Sequence, residues 1–180
     1  MIARMTREQL AKRIAEVSLL HGDFLLRSGR KSKYYLDKYR FETQPDVLIE
    51  LGKLFAEKVT AKVDRIAGAE LGAVPLAAAA SIASGKPFVI VRNQKKDYGT
   101  SKLVEGILMS GETVLIVEDV LTTGGQVLEA AKSLKDAGAK IDRIVAVIDR
   151  QEGARENIES AGYIFEALFT TADLGIVKQP

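Results

Sequence analysis

Val114-Leu115-Ile116-Val117-Glu118-Asp119-Val120-Leu121-Thr122-Thr123-Gly124-Gly125-Gln126 is the stretch that decides the fold. Its four leading apolar residues show no alternation, the pattern of a strand covered on both faces in a parallel sheet. The strand is expected over Thr113–Glu118, with a helix from about Gly125 to Ala137. Between them stand two adjacent carboxylates and a Thr/Gly turn. Backbone N–H groups of such a turn, with a helix N-terminus behind them, can cradle a phosphate monoester, and threonine hydroxyls add donors. Glycine lets the main chain approach the bound group. Glu118 and Asp119 would repel the phosphate itself; they suit ribose hydroxyls, which donate to carboxylates, or a bound Mg²⁺. A second reading stays open, in which Asp119 and Thr122 cap the helix start. The turn is no Walker A loop, because no Gly-Lys-Ser/Thr follows, and it lacks the Gly-x-Gly-x-x-Gly of a dinucleotide fold.

Outward from this stretch, short apolar runs alternate with helical patterns. The runs are Arg65–Ala69, Phe88–Arg92, Ile141–Asp149 and Tyr163–Phe169; helices are expected from Pro75 to Ser84 and near Glu152–Ser160. The pattern predicts an α/β fold with a central parallel sheet flanked by helices, and ligands of such sheets bind beyond the carboxyl ends of the strands. Upstream, Thr6 and Gln9 form a capping box, and Leu10, Ile14, Val17 and Leu20 follow at helical spacing, so a first helix is expected to about Leu20. Gly22–Asp37 reads as a hairpin-like element around Ser28-Gly29. Pro45 opens an amphipathic helix bearing Val47, Leu48, Leu51, Leu54, Phe55 and Val59. With no repeat, linker or low-complexity segment, residues 1–180 are expected to form one domain, with 1–40 as a small N-terminal hood region and 64–170 as the α/β core. Asn93–Gly106 is the exception, a long polar loop of the kind that serves as a lid.

Composition excludes several classes. The 180 residues are 47% hydrophobic and 28% charged, an ordinary globular balance. Without cysteine there is no disulfide, thiolate zinc site, iron–sulfur cluster or thiol nucleophile. Lys+Arg 26 against Asp+Glu 24 leaves +2, too balanced to predict nucleic-acid binding, and the basic turn Arg27–Lys33 reads as a solvated surface. No apolar leader or membrane-length run is visible, so no membrane partner and a cytoplasmic location are expected. The single histidine, His21, is placed at the first helix's C-terminus, where the helix dipole favours it, and is left out of the site.

At residues 114–126 the sequence resembles the phosphoribosyl diphosphate (PRPP) signature of the type I phosphoribosyltransferases. Three further segments narrow the resemblance to the orotate phosphoribosyltransferases. Gly22–Asp37, with Ser28-Gly29-Arg30-Lys31-Ser32 and Tyr34-Tyr35, resembles that family's N-terminal substrate element. Arg92-Asn93-Gln94-Lys95-Lys96-Asp97-Tyr98-Gly99 is similar to its mobile catalytic loop, and Asp149-Arg150-Gln151-Glu152 to its post-strand element. The resemblance implies a type I phosphoribosyltransferase fold and displacement of diphosphate from ribose C1 by N1 of orotate, with Mg²⁺ arriving mainly through PRPP and water. Glu118 and Asp119 would hold the ribose hydroxyls and the developing cation. Val120, Leu121, Thr122, Thr123, Gly124, Gly125 and Gln126 would complete the PRPP loop, with Arg92, Asn93, Lys96 and Tyr98 reaching over it. Lys96 would act in catalysis together with Glu118 and Asp119. The family's loop serves the neighbouring subunit, which implies a homodimer with residues 92–106 exchanged.

Orotate carries a carboxylate, and Arg150 has the planar fork to bind one bidentately. A surface pairing of Arg150 with Glu152 or Asp149 is the other reading. By resemblance Thr122 also contacts orotate, and Tyr35 and Leu36 lie against the pyrimidine; Tyr34 and Tyr35 could equally be core residues of the hairpin. Asn93 stands where the family usually has lysine, Tyr98 where many members have histidine, and Gly72 where some carry a PRPP-contacting lysine. Two rivals remain: another type I phosphoribosyltransferase with a different base, and a PRPP-sensing regulator without catalysis.

Overall fold

The computed structural model describes residues 4–25, 29, 31–94 and 102–176. Helix α1 (Arg7–Ser18) starts on the expected capping box, with Thr6 accepting from the Gln9 N–H and the Gln9 side chain accepting from the Thr6 N–H. It ends two residues earlier than expected, because the chain turns extended at Leu19 to pair with the hairpin. Strands β1 (Leu19–Leu25) and β2 (Lys31–Leu36) form that antiparallel hairpin, separate from the main sheet. His21 is therefore not at a helix terminus: it sits exposed in β1 opposite Tyr34. Of the basic turn, Lys33 pairs with Asp23 at 2.5 Å.

A short helix α2 (Lys38–Glu42) and α3 (Pro45–Ala56) lead into the sheet. Next come β3 (Arg65–Ala69), α4 (Ala73–Ser84), β4 (Phe88–Val91), β5 (Val104–Glu105), β6 (Thr113–Leu121), α5 (Gly125–Asp136), β7 (Lys140–Asp149), α6 (Ala154–Ser160) and β8 (Phe165–Thr170). The sheet order is β5-β4-β3-β6-β7-β8, parallel except for β5, which runs antiparallel to β4. The Asn93–Gly106 stretch thus contains a strand edge that its polar composition concealed.

β6 lies at the centre of the sheet and shows why its sequence carries no alternation. Leu115 and Val117 face one apolar layer with Ile66, Leu76, Leu51 and Phe55, whereas Val114 and Ile116 face the other with Val127, Leu134 and Ile158. All are buried, and each such side chain contributes about 1.5–3 kcal/mol over an exposed one. Among the described residues no helix is long and apolar enough to cross a membrane.

The core positions the site through one feature of register. β6 runs to Leu121, beyond the expected Glu118, because Val120 and Leu121 continue to pair with Ile148 and Asp149 of β7. Both strands therefore end side by side, and the segments beginning at Thr122 and Arg150 open at the same edge of the sheet.

Candidate active site

Thr122, Thr123, Gly125 and Gln126 are exposed at the end of β6, while Gly124 is buried. Gly124 adopts φ 80°, and a Cβ there would lie 3.2 Å from Ile158 Cγ1, so both the left-handed backbone and the packing under the turn require glycine. Helical bonding begins with Leu128 N–H on the Gly124 carbonyl, which leaves the earlier N–H groups of α5 directed at the turn. Asn157 of α6 donates to the Thr123 carbonyl at 2.9 Å and steadies the turn from below. No side chain caps α5; Gly124 occupies the N-cap position. The capping reading of Asp119 and Thr122 is thereby ruled out, and an open ring of backbone donors and hydroxyls remains.

The carboxylates preceding this turn are buried: Glu118 is 8% and Asp119 2% exposed. Asp119 accepts from Lys38 Nζ at 2.5 Å and from the Val120 N–H, and Glu118 Oε1 accepts from the Asp119 N–H at 3.2 Å. Glu42, at the end of α2, is 1% exposed, and neither of its oxygens has a hydrogen-bond partner. Burial, reinforced by the repulsion of Asp119, pushes Glu42 up to about 8, and the same two causes push Glu118 up to about 8. Burial pulls the Lys38 ammonium down, but attraction to Asp119, their hydrogen bond, and Glu42 and Glu118 behind it raise it overall. A proton on Glu42 would supply a donor where neither of its oxygens has a partner. The Lys38 ammonium, bonded to Asp119, offsets charge within the same group.

The cluster has a measurable signature. Glu42 and Glu118 are ordinary carboxyls in the unfolded chain, at about 4.3, so between there and about 8 the folded state binds protons more tightly. Stability present at low pH is therefore lost as pH rises through that window. The melting temperature is expected to be lower at about pH 9 than at about pH 6, with the gap narrowed in Glu42→Gln, whose amide cannot ionise. Equal gaps in both proteins would show that Glu42 does not titrate there.

Arg150 follows β7, donates its N–H to the Leu121 carbonyl at 2.9 Å, and is thereby fixed beside Thr122. Its guanidinium pairs with Glu152 at 3.0 Å, the alternative pairing that the sequence left open. Asp149 turns its carboxylate back onto the Gln151 N–H. Arg92 directly follows β4 and pairs with Glu70 at 3.8 Å; Asn93 donates its N–H to Glu70 Oε1 at 2.8 Å and its amide to the Glu70 carbonyl at 3.0 Å. Both are thus tied to the turn after β3. Tyr35 is 45% exposed, with its ring 5.6 Å from that of Phe24. Leu36, by contrast, is 8% exposed and packs in the core, and Leu121 is 4% exposed, so at both positions only the main chain is left for a ligand. Lys96 and Tyr98 lie outside the described residues.

Two participants escaped the sequence reading, Lys38 and Glu42 of α2. Gly72, singled out in the sequence, lies in the turn after β3, where a Cβ would lie 1.9 Å from Asp119 Oδ2 and 3.0 Å from Glu42 Oε1. A side chain at 72, the place of a lysine in some relatives, has no room. For Lys38 and Glu42 the only available signal was charge in a short segment next to the hairpin.

This arrangement, an exposed amide-rich turn for an anion beside a buried acidic pair, agrees with the comparisons. The family model described as phosphoribosyl transferase domain matches residues 39–172. An orotate phosphoribosyltransferase of Methanocella arvoryzae is 49% identical over 153 residues, 85% of this chain and 87% of that protein. The crystal structure of Mycobacterium tuberculosis orotate phosphoribosyltransferase in complex with Fe(III) dicitrate is similar with a TM-score of 0.86 at 34% identity, covering 94% of this chain and 99% of that one. The same enzyme in complex with PRPP gives 0.81 at 33% identity, again over 94% and 99%. With the fold, the post-strand turn and the relatives in agreement over nearly the whole length, the chain belongs to the phosphoribosyl transferase domain family and, within it, to the orotate phosphoribosyltransferases.

Proposed function

We propose that the chain transfers the ribose 5-phosphate group of PRPP to N1 of orotate, giving orotidine 5′-monophosphate and diphosphate in de novo pyrimidine synthesis. The observation that carries this reading is the shared edge of β6 and β7, which sets the Thr122–Gln126 turn, the acidic pair and Arg150 side by side. The turn's N–H groups and hydroxyls bind the 5′-phosphate. Asp119, paired with Lys38, accepts a ribose hydroxyl and offsets the positive charge that grows on the ribose as the C1–O bond breaks. Glu118 stands behind it. Arg150 exchanges Glu152 for the orotate carboxylate, and Thr122 and Tyr35 flank the base. Arg92, Asn93, Lys96 and Tyr98 belong to the segment that covers the diphosphate and keeps water from the electrophilic carbon.

Among the described residues no group of three or more His, Cys, Asp or Glu is placed to hold a metal ion. In this reading a magnesium ion would come as a companion of the diphosphate oxygens and water, the usual way this cation binds nucleotide phosphates, and would neutralise charge on the leaving group. The same reading includes a cytoplasmic homodimer. In its support, α3 and α4 border an open apolar groove of about 700 Å³ lined by Leu48, Ile49, Pro75, Ala79 and Ile82, with Ile82 86% exposed, and a second copy would cover it.

The test is Arg150→Ala, assayed by orotate consumption with uracil, hypoxanthine and adenine as parallel bases. Losing a charged hydrogen-bond pair costs about 1.5–3 kcal/mol, so KM for orotate is expected to rise about 10- to 150-fold with KM for PRPP little changed. Equal losses for both substrates would remove Arg150 from the carboxylate site. Wild-type protein that binds PRPP without consuming any base would instead indicate a regulator.

A further inference from the structure

We propose that Lys38 is a catalytic residue of this site, its ammonium binding the diphosphate of PRPP from within the same chain, an inference that rests on the function proposed above. The ammonium is 2.5 Å from Asp119 Oδ2, the carboxylate assigned to a ribose hydroxyl. In PRPP the carbon bearing the diphosphate adjoins a hydroxylated carbon, so a cation on Asp119 stands next to the leaving group.

The surroundings fit this role. Asp119 Oδ2 fills the place that a side chain at Gly72 would take, so the turn after β3 lies close against the acidic pair, and Lys38 Nζ reaches the same oxygen. The Lys38 side chain is 34% exposed whereas that of Asp119 is 3% exposed, so the ammonium lies at the mouth over a buried anion. It has three donors, and the bond to Asp119 uses one of them. The ammonium also lies over the Tyr39 ring, 5.4 Å from its centre, on a contact that leaves its hydrogen-bond donors free for other partners. The other described cations at this edge are engaged with carboxylates of their own, Arg92 with Glu70 and Arg150 with Glu152. Asn93, beside Arg92, contributes no charge, and its amide is bonded to the Glu70 carbonyl. Lys38 is thus the cation that the fold holds on the acidic pair before substrate arrives. When a ribose hydroxyl takes part of Asp119, the remaining ammonium donors meet the diphosphate oxygens, whose charge grows as the bond breaks.

The experiment measures binding of magnesium pyrophosphate by calorimetry, and steady-state kinetics, in wild type, Lys38→Met and Lys38→Arg. Lys38→Met is expected to weaken pyrophosphate binding and to raise KM for PRPP by about tenfold or more, while KM for orotate stays within about twofold and Lys38→Arg recovers most of the loss. The decrease in pyrophosphate affinity should persist when Lys38→Met is made in an Asp119→Asn background, with cooperative melting confirming that each variant folds. Unchanged pyrophosphate affinity in a folded Lys38→Met protein overturns the proposal. So does a loss that disappears in the Asp119→Asn background, since Lys38 would then act only by holding Asp119. A wild-type protein that turns over no base yet loses pyrophosphate affinity in Lys38→Met would overturn the proposed function, and with it the catalytic role, while leaving Lys38 as a diphosphate-binding residue.

Discussion

Asp119→Asn is expected to lower kcat/KM by about 10²–10³-fold, with most of the loss in kcat and with the melting temperature maintained. The two effects part because the substitution keeps shape and removes charge. In the folded chain Asp119 shares a buried group with Glu42 and Glu118, and repulsion by Asp119 helps to push both of them up to about 8. An amide at 119 relieves that repulsion and still packs beside Gly72, so folding loses little beyond the Lys38 ion pair. Catalysis loses the carboxylate proposed to face the ribose as the leaving group departs, an interaction stronger in the transition state than in the ground state. The corresponding Glu118→Gln change is expected to cost far less near neutrality, because a carboxyl that titrates at about 8 is already mostly protonated and an amide resembles it. Rates of orotate consumption and thermal melts on the two variants decide the matter. A tenfold or smaller loss in Asp119→Asn, or equal losses in the two, would return the acidic role to the pair as a whole.

Local features were legible in the sequence. The four apolar residues before Glu118 announce a strand covered on both faces, and Leu115 and Val117 do face one layer while Val114 and Ile116 face the other. The exposed turn and the helix after it could be read from Thr122 to Gln126 alone. Arg150 was read as lying directly after a strand, where ligands of such sheets bind, and it does follow β7; that its N–H bonds the Leu121 carbonyl, beside Thr122, came from the structure. The misses share one cause, partners distant in sequence. Two charged residues suggest a strand end at Glu118, yet Lys38, 81 residues away, and the local N–H groups satisfy those charges and let the ladder run to Leu121. His21 left the helix because Leu19 pairs with Leu36 across the hairpin. Glu42 reads as an ordinary polar helix residue until α2 is laid on the β6 end, where both of its oxygens are sealed from water.

Gly72→Ala puts the packing of that sealed cluster to a direct test, and its expected effect is nearly as large as that of Asp119→Asn. The backbone at Gly72 has φ −63° and ψ −39°, ordinary helical values that alanine adopts freely. On conformational grounds alone the exchange should stabilise the protein by about 0.4–1 kcal/mol, since alanine restricts the unfolded chain. The added Cβ, however, would stand 1.9 Å from Asp119 Oδ2 and 3.0 Å from Glu42 Oε1. Asp119 has little freedom to retreat: its side chain is 3% exposed, one oxygen takes the Val120 N–H, and Lys38 is bonded to the other. Either its carboxylate rotates and leaves Lys38, or the turn after β3 moves away and draws Glu70 and its bonds to Asn93 with it. Both outcomes displace the group proposed to face the ribose. Overpacking of this kind costs about 1–3 kcal/mol in stability, outweighing the backbone gain, and kcat/KM is expected to fall by about 10²-fold. Melting and orotate turnover measured together separate the two effects, and a variant within about threefold of wild-type activity would show that the carboxylate can shift harmlessly. If the loss appears, the absence of a side chain at 72 is what lets Asp119 and Lys38 meet, and the cation at this mouth can come from α2 only because the turn after β3 carries none.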